Sequence, residues 1–324
     1  MPLLHVENLK VSFQSRGRVI RAVDGVSFTV EPQEALGIVG ESGSGKTVAM
    51  LALLGLIPSP PGRIEDGTAL FEGTDLLRAS SAELRRVRGR RIAMVFQEPM
   101  TALNPYVSIG KQLTESVRAH ERCSRAEAER RAVAALEEVG MYDAPSRLRA
   151  YPHELSGGMR QRVMIAMALA LRPALVIADE PTTALDVTVE AQILDLMVRL
   201  QRGYSMSVIL ITHNLGVIAE TCRRVAVMYA GRILETASTV ELFHSPRHPY
   251  TEALMGAMPA FHARGERLRA LPGSPPDLST PRPGCPFADR CAHVVPDCRT
   301  GPVRLEEVAP GRSSACIRVQ RGEM

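Results

Sequence analysis

The stretch Gly40-Glu41-Ser42-Gly43-Ser44-Gly45-Lys46-Thr47 fits the pattern G-x-x-x-x-G-K-[ST]. Glycines at this spacing let consecutive backbone N–H groups turn toward phosphate oxygens, and a helix starting at the lysine adds the positive end of its dipole. Lys46 would supply a point charge for the β- and γ-phosphates of a nucleotide, and Thr47 a hydroxyl for Mg²⁺. An eight-residue match also describes a glycine-rich turn that binds nothing, so its context decides. A second constellation, Leu175-Val176-Ile177-Ala178-Asp179-Glu180, is an apolar strand ending in two acids. Asp179 can hold a metal's water shell and Glu180 can orient or deprotonate an attacking water; the plainer alternative is a helix cap. A third, Ser156-Gly157-Gly158, leads into the apolar run Val163 to Leu171. It can offer a hydroxyl, N–H groups and a helix dipole to a phosphate, although alone it would be an ordinary N-cap. Gln97 follows the run Ile92 to Phe96, and His213 follows Val208 to Ile211, where the plain reading is a satisfied histidine at a strand end.

Such residues work only if strands and helices deliver them. Ala35 to Val39 reads as a short apolar strand ahead of the loop, and Thr47 to Leu56 as an apolar helix stopped by the Pro-rich stretch Pro58 to Gly62. Upstream, His5 to Phe13 and Val19 to Val30 are rich in Val, Phe and Ile, with a turn at Gln14 to Arg18. Ser80 and Glu83 have capping-box spacing. Ser124 and Glu127 repeat it ahead of a helix with Ala132, Val133, Leu136 and Val139 on one face. Leu175 to Ala178 and Val208 to Ile211 read as buried strands, and the helix between them carries Ile193, Leu196, Met197 and Leu200. Strands alternating with helices, each key residue at a strand's C-terminal end, predict an α/β sheet with its site along that edge.

The chain has 324 residues, 45% of them hydrophobic and 23% charged, enough for one large domain or one domain plus an appendage. A net charge of +4 makes no case for a nucleic-acid partner. The arginine run at Arg85, Arg86, Arg88, Arg90 and Arg91 reads as a solvated helix end and loop, with contact to a partner subunit or to lipid head groups as the alternative. No apolar run approaches the ~20 residues of a membrane span, and Met1 to Lys10 lacks the pattern of a signal peptide, so a cytoplasmic location is expected. Near residue 245 proline, glycine and histidine become frequent. A linker is expected at about 245–260, with a small loop-rich appendage beyond it. Cys285, Cys291, Cys298 and Cys316 lie in that appendage, spaced C-x5-C-x6-C-x17-C. Four thiolates could bind Zn²⁺ tetrahedrally, hold a [4Fe–4S] cluster, or remain free or redox-active thiols. Cys123 and Cys222 read as packing residues.

The order of these elements resembles ATP-binding cassette (ABC) ATPases over roughly residues 4 to 260. The matching landmarks are the phosphate loop, Gln97, Leu155-Ser156-Gly157-Gly158-Met159-Arg160-Gln161-Arg162, the Asp179-Glu180 pair, Ala184-Leu185-Asp186 and His213. The resemblance implies an ABC-type P-loop nucleotide-binding domain over 1–245. Its parts would be a RecA-like α/β core, an antiparallel β subdomain and a helical subdomain at about 105–155, followed by a C-terminal extension over 246–324. It implies ATP and Mg²⁺ as cofactors and a head-to-tail dimer of cassettes. Lys46, Thr47, Gln97, Asp179, Glu180 and His213 would serve one ATP, with Thr47, Gln97 and Asp179 on Mg²⁺ and His213 on the γ-phosphate. Ser156, Gly157 and Gly158 would serve the partner's ATP, and Asp186 would couple the two sites. Two positions depart from the family pattern. Phe13 stands where a tyrosine usually stacks on adenine, and Gln33 stands where a glycine often turns the chain before the loop strand.

Glu41, the stretch Phe96 to Pro105 and the tail from His248-Pro249-Tyr250-Thr251 resemble the ATPases of oligopeptide and dipeptide importers, a group that nickel and some sugar importers partly share. The resemblance implies a second cassette as partner (another chain or a second copy), two transmembrane permeases and an extracytoplasmic substrate-binding protein. It places the chain peripherally on the cytoplasmic face of the inner membrane, and it favours a [4Fe–4S] cluster over Zn²⁺ at the four cysteines. An importer for nickel or another small solute, and a redox-sensing ATPase governed by the cysteines, are the alternatives. A DNA-repair ATPase of the same type predicts a long coiled-coil insertion, but only about 110 residues separate loop and signature. A translation factor predicts two cassettes in one chain, and one is present.

Overall fold

The computed structural model describes residues 1–15, 17–98, 102–183, 185–258 and 271–324. Pro99, Met100 and Thr101 of the importer-like stretch, Ala184, and the end of the expected linker lie outside the described residues. By packing, the chain forms two compact units, one of residues 1–31, 35–79 and 211–324, the other of 32–34 and 80–210. The described residues beyond 246 pack into the first unit. Among the described residues no helix is long and apolar enough to cross a membrane.

In chain order the strands are β1 (Leu4–Ser15), β2 (Arg18–Val30), β3 (Ala35–Val39), β4 (Gly62–Phe71), β5 (Thr74–Asp75), β6 (Ile92–Val95), β7 (Leu175–Asp179), β8 (Ser207–Thr212), β9 (Arg224–Tyr229), β10 (Arg232–Ser238), β11 (Glu306–Ala309) and β12 (Arg312–Ser314). The first unit holds an antiparallel sheet in the order β2-β1-β4-β5. On β1 Leu4, Val6, Leu9 and Val11 are buried, and the strand shifts register between Val6 and Leu9, where Asn8 has φ +50°. A bulge there keeps both apolar pairs facing inward. The same unit carries the strand run β11-β12-β10-β9-β3. β3 pairs parallel with β9, from Leu36 with Arg224 to Val39 with Val227, and delivers the phosphate loop at its end. β9 and β10 form a hairpin whose turn, Ala230-Gly231, has positive φ at both residues, as a two-residue turn between twisted strands requires.

The second unit carries β8-β7-β6, with β6 and β7 parallel. Helices Ile109–His120, Arg125–Glu138, Gly157–Leu169 and Val187–Tyr204 belong to it. Ile193, Leu196, Met197 and Leu200 are buried as their spacing predicts, and Ser80 with Glu83 closes a full capping box. Ser124 makes only half of one. Its hydroxyl accepts from Glu127 N–H, but the Glu127 carboxylate is taken by Arg130 and Arg131, one turn on, and does not reach back.

Two further expectations shift. The helix after the loop is Lys46–Leu53 and not Thr47 to Leu56, because Gly45 enters it in the left-handed region (φ +99°) and Gly55 turns left-handed just past its end (φ +59°). The expected linker at 245–260 holds a helix, Pro249–Gly256, while the described residues beyond it are loop-rich with only short elements, as their composition implies. One of those elements, β12, pairs with β10 through Glu235↔Ser314 and Thr236↔Ser313.

Candidate functional site

In the first unit the phosphate loop is built around its glycines. Gly40 has φ +155° and Gly45 φ +99°, and a Cβ on either would meet a carbonyl oxygen, Met228 O at 2.0 Å or Ala22 O at 2.2 Å. Any side chain there would push the loop off the strand behind it. Gly231 N–H holds the loop from behind by donating to Ser44 O at 2.9 Å. The buried Lys46 ammonium donates to Gly40 O at 2.8 Å, Glu41 O at 2.9 Å and Ser44 Oγ at 3.3 Å. Backbone carbonyls thus engage the cation where a nucleotide's phosphate oxygens would compete for it. Thr47 is the second residue of the helix. His213 follows β8 and is exposed, while Asn214 next to it caps helix Leu215–Thr221 through Gly216 N–H at 3.0 Å. Phe13 lies on β1 opposite Gly62 of β4, and a Cβ on Gly62 would lie 2.9 Å from its ring.

In the second unit the parallel pair β6–β7 brings Gln97 and Glu180 together. Gln97 Nε2 donates to Glu180 Oε2 at 3.0 Å, and Thr183 Oγ1 donates to the same oxygen at 2.9 Å. Glu180 sits at φ +44°, a conformation costly for a side chain with a Cβ, while Asp179 just before it is buried. Strained backbone of this kind persists where surrounding bonds hold it and is concentrated at working sites. Thr183 escaped the sequence reading; its signal was the three-residue spacing from Glu180, which lets a turn close on the carboxylate.

Ser156 is the N-cap of helix Gly157–Leu169, its hydroxyl accepting from Met159 N–H at 3.3 Å. Gly158 packs so closely that a Cβ would lie 2.7 Å from Val189 Cγ1. Ser156 and Gly157 are exposed. Asp186 caps helix Val187–Tyr204 by accepting from Val189 N–H at 2.9 Å. Gln33 adopts the glycine-like conformation (φ +62°), with its carbonyl accepting from Gln201 Nε2 at 2.8 Å. The turn geometry is therefore kept without the glycine.

The tail cysteines are all unbridged. Cys285, Cys291, Cys298 and Cys316 lie within one another's electrostatic reach, and Cys285 N–H donates to Cys298 O at 2.7 Å. Burial, reinforced by the neighbouring thiols, pushes the Cys285 thiol up to about 12 and raises that of Cys291. A cation beside them would reverse this, because bound metal favours thiolate. His293 N–H already donates to Cys291 Sγ at 3.3 Å, and His248 Nε2 lies 4.0 Å from Cys285 Sγ. The donor chemistry suits a soft metal. As placed, however, no three His, Cys, Asp or Glu among the described residues gather into a group that could hold a metal ion.

Residues 23–183 match the ABC transporter family model, and residues 234–298 match the oligopeptide/dipeptide transporter C-terminal region. The chain is 51% identical over 317 residues to a probable peptide ABC transporter ATP-binding protein of Sinorhizobium fredii, covering 98% of this chain and 95% of the relative. It is 52% identical over 294 residues to the oligopeptide transport ATP-binding protein OppD of Bacillus subtilis, covering 90% and 82%. The solved dimer of the ATP-binding cassette MJ0796 with ADP and phosphate superposes with a TM-score of 0.66 at 25% identity, over 73% of this chain and 98% of that one.

Proposed function

We propose a function from one premise: the chain belongs to the ABC transporter family, as relatives about half identical over nearly its whole length show. It is an ATPase, the ATP-hydrolysing subunit of an importer for oligo- or dipeptides. The observation that carries the substrate class is that the similarity to peptide-transport ATP-binding proteins runs through the tail, including the oligopeptide/dipeptide C-terminal region at 234–298.

The chain's residues divide the work as follows. The N–H groups of 40–47 and Lys46 would take the phosphates, and Thr47, Gln97 and Asp179 would hold Mg²⁺, which when bound would supply positive charge to the transferred phosphoryl group. Glu180, aimed by Gln97 and Thr183, orients and deprotonates the water. His213 steadies the γ-phosphate, Phe13 stacks on adenine, and Ser156, Gly157 and Gly158 close on ATP bound by a second cassette, to which Asp186 couples. Domain boundaries near 245 and a helical subdomain near 105–155 belong to the same reading. So do a peripheral position on the cytoplasmic face of the membrane, two permease partners and an extracytoplasmic binding protein.

The four tail cysteines would hold a [4Fe–4S] cluster, with Zn²⁺ as the alternative. Support for the reading comes from four thiols in one stretch of the tail, Cys285 and Cys291 each within electrostatic reach of Cys298 and Cys316, and from the His293 N–H donated to Cys291 Sγ. An absorption spectrum with iron and zinc analysis on anaerobically purified protein tests it; metal-free protein with a native melt would end it.

The function itself is tested in proteoliposomes holding the chain with its permeases and second cassette. Peptide-loaded binding protein should raise ATP turnover severalfold and drive peptide uptake. Stimulation by nickel and not by peptides would reassign the cargo. Glu180→Gln chain should bind ATP and dimerise with it without turning it over. An isolated monomer with full turnover would refute the shared site.

A further inference from the structure

Glu41 is an anomaly in its own loop. A turn that must receive the negative phosphates of a nucleotide carries a carboxylate at its second position, where like charge would oppose binding. The first unit answers this with residues from the far end of the chain. Arg290 grips the Glu41 carboxylate with both arms of its fork, Nη1 to Oε2 at 2.7 Å and Nη2 to Oε1 at 3.0 Å. The Arg290 side chain is 5% exposed and that of Glu41 25%. Further contacts hold the guanidinium. Its Nε donates to Pro272 O at 2.7 Å, Nη1 also donates to Tyr229 Oη at 3.1 Å, and the rings of Tyr229 and Phe287 stand 5.7 and 5.8 Å from its carbon. Glu41 foremost keeps this guanidinium firmly charged.

The backbone of Glu41 is held as well. Its N–H donates to Tyr250 Oη at 3.0 Å, and Tyr250 is fully buried, 4.5 Å from the Tyr229 ring and 5.3 Å from that of Phe287. The Glu41 carbonyl is in turn one of the oxygens that hold Lys46. Residue 41 is thus tied at its N–H and its carboxylate by the region beyond 245, and at its carbonyl by the loop lysine.

We propose that Arg290 is a positioning residue for nucleotide binding: it neutralises Glu41 and, with Tyr250, holds the phosphate loop open to phosphate, so that the docked C-terminal region is a working part of the ATP site. The proposal rests on the reading that this loop binds ATP, and wild-type affinity for MgATP tests that reading separately. A fixed bidentate pair costs no rearrangement when ligand arrives, whereas a released carboxylate would swing beside the phosphates and compete for Lys46.

The test is MgATP binding by the purified full chain, read by titration with a fluorescent ATP analogue, with melting curves on every variant. Arg290→Met should weaken binding about tenfold or more. Glu41→Gln/Arg290→Met should recover to within about threefold of wild type, because the carboxylate that needed neutralising is gone. A merely structural arginine would not be rescued by removing its partner's charge. Arg290→Met with wild-type affinity overturns the proposal. So does a double variant as weak as Arg290→Met or weaker, the result expected if Arg290 packed the fold or touched phosphate directly. Should Arg290→Met alone fail to fold, the double variant decides: a native melt with near wild-type affinity supports the proposal, and a native melt with lost affinity overturns it.

Discussion

Glu180, the proposed base, shows how much a side chain depends on what holds it. Its left-handed φ and its two hydrogen-bond donors, Gln97 and Thr183, both on Oε2, fix the orientation of its carboxylate. Replacing Glu180 by Gln keeps the shape and removes the base, and turnover should fall by about 10²–10⁴ with ATP affinity nearly unchanged. Thr183→Ala should cost roughly tenfold in kcat and little in KM, because it frees the base without touching the nucleotide. A Thr183→Ala variant that raises KM alone would show the hydroxyl to be a binding group. Gly45→Ala should abolish ATP binding, since its Cβ would meet Ala22 O at 2.2 Å from a positive-φ position.

At the level of elements, the turn before β3 carries a cost that the chain could shed. Gln33 occupies φ +62°, where an L side chain is disfavoured by about 1–2 kcal/mol, partly offset by the flexibility that glycine adds to the unfolded chain. Gln33→Gly should therefore raise stability by roughly 0.5–1 kcal/mol in urea unfolding without changing ATP turnover. An unchanged or lowered midpoint would mean that the Gln33 side chain itself supports the turn. The half-formed box at Ser124 teaches the same lesson in reverse: the spacing was right, but two arginines one turn on outbid the backbone for Glu127.

Across the whole molecule, the tail is an integral part of the first unit. β12 extends the sheet beside β10, and Arg312 crosses from it to Glu235, 3.6 Å away and buried. Burial raises the Glu235 carboxyl above its usual range, against Thr251, Arg247 N–H and Arg312, which hold it down. Removing the cation by Arg312→Met leaves a buried charge unpaired, for about 3–5 kcal/mol of lost stability near neutral pH. The sign with pH follows from the raised value. A carboxyl whose folded pKa lies above its unfolded one keeps its stabilising contribution at low pH and loses it as pH rises through the folded pKa. The penalty of Arg312→Met should thus be larger at pH 8 than at pH 5 in urea unfolding, and a pH-independent penalty would place the loss in packing instead. Ending the chain after residue 245 should remove Tyr250, Phe287 and β12 together and yield aggregated protein by size exclusion.

Spacing marked out the glycine loop at 40–47, the acid pair at the end of β7, Ser156 ahead of its helix and the strands beside them, and their order, through its resemblance to ABC ATPases, gave them their proposed parts. Each is a local pattern in which a few neighbouring residues set both conformation and chemistry. The sheet edge that gathers Gln97 and Glu180 was legible for the same reason, as parallel strands that follow helices put their C-terminal ends side by side. What stood outside local pattern was decided by tertiary structure. Tyr250 and Arg290 reach Glu41 across 209 and 249 residues of chain, and no periodicity records a contact of that range. Composition read the tail as a loop-rich appendage because its prolines and glycines are many. The fold buries Tyr250 and Phe287 against Tyr229 all the same, since three aromatic rings removed from water outweigh a weak local propensity.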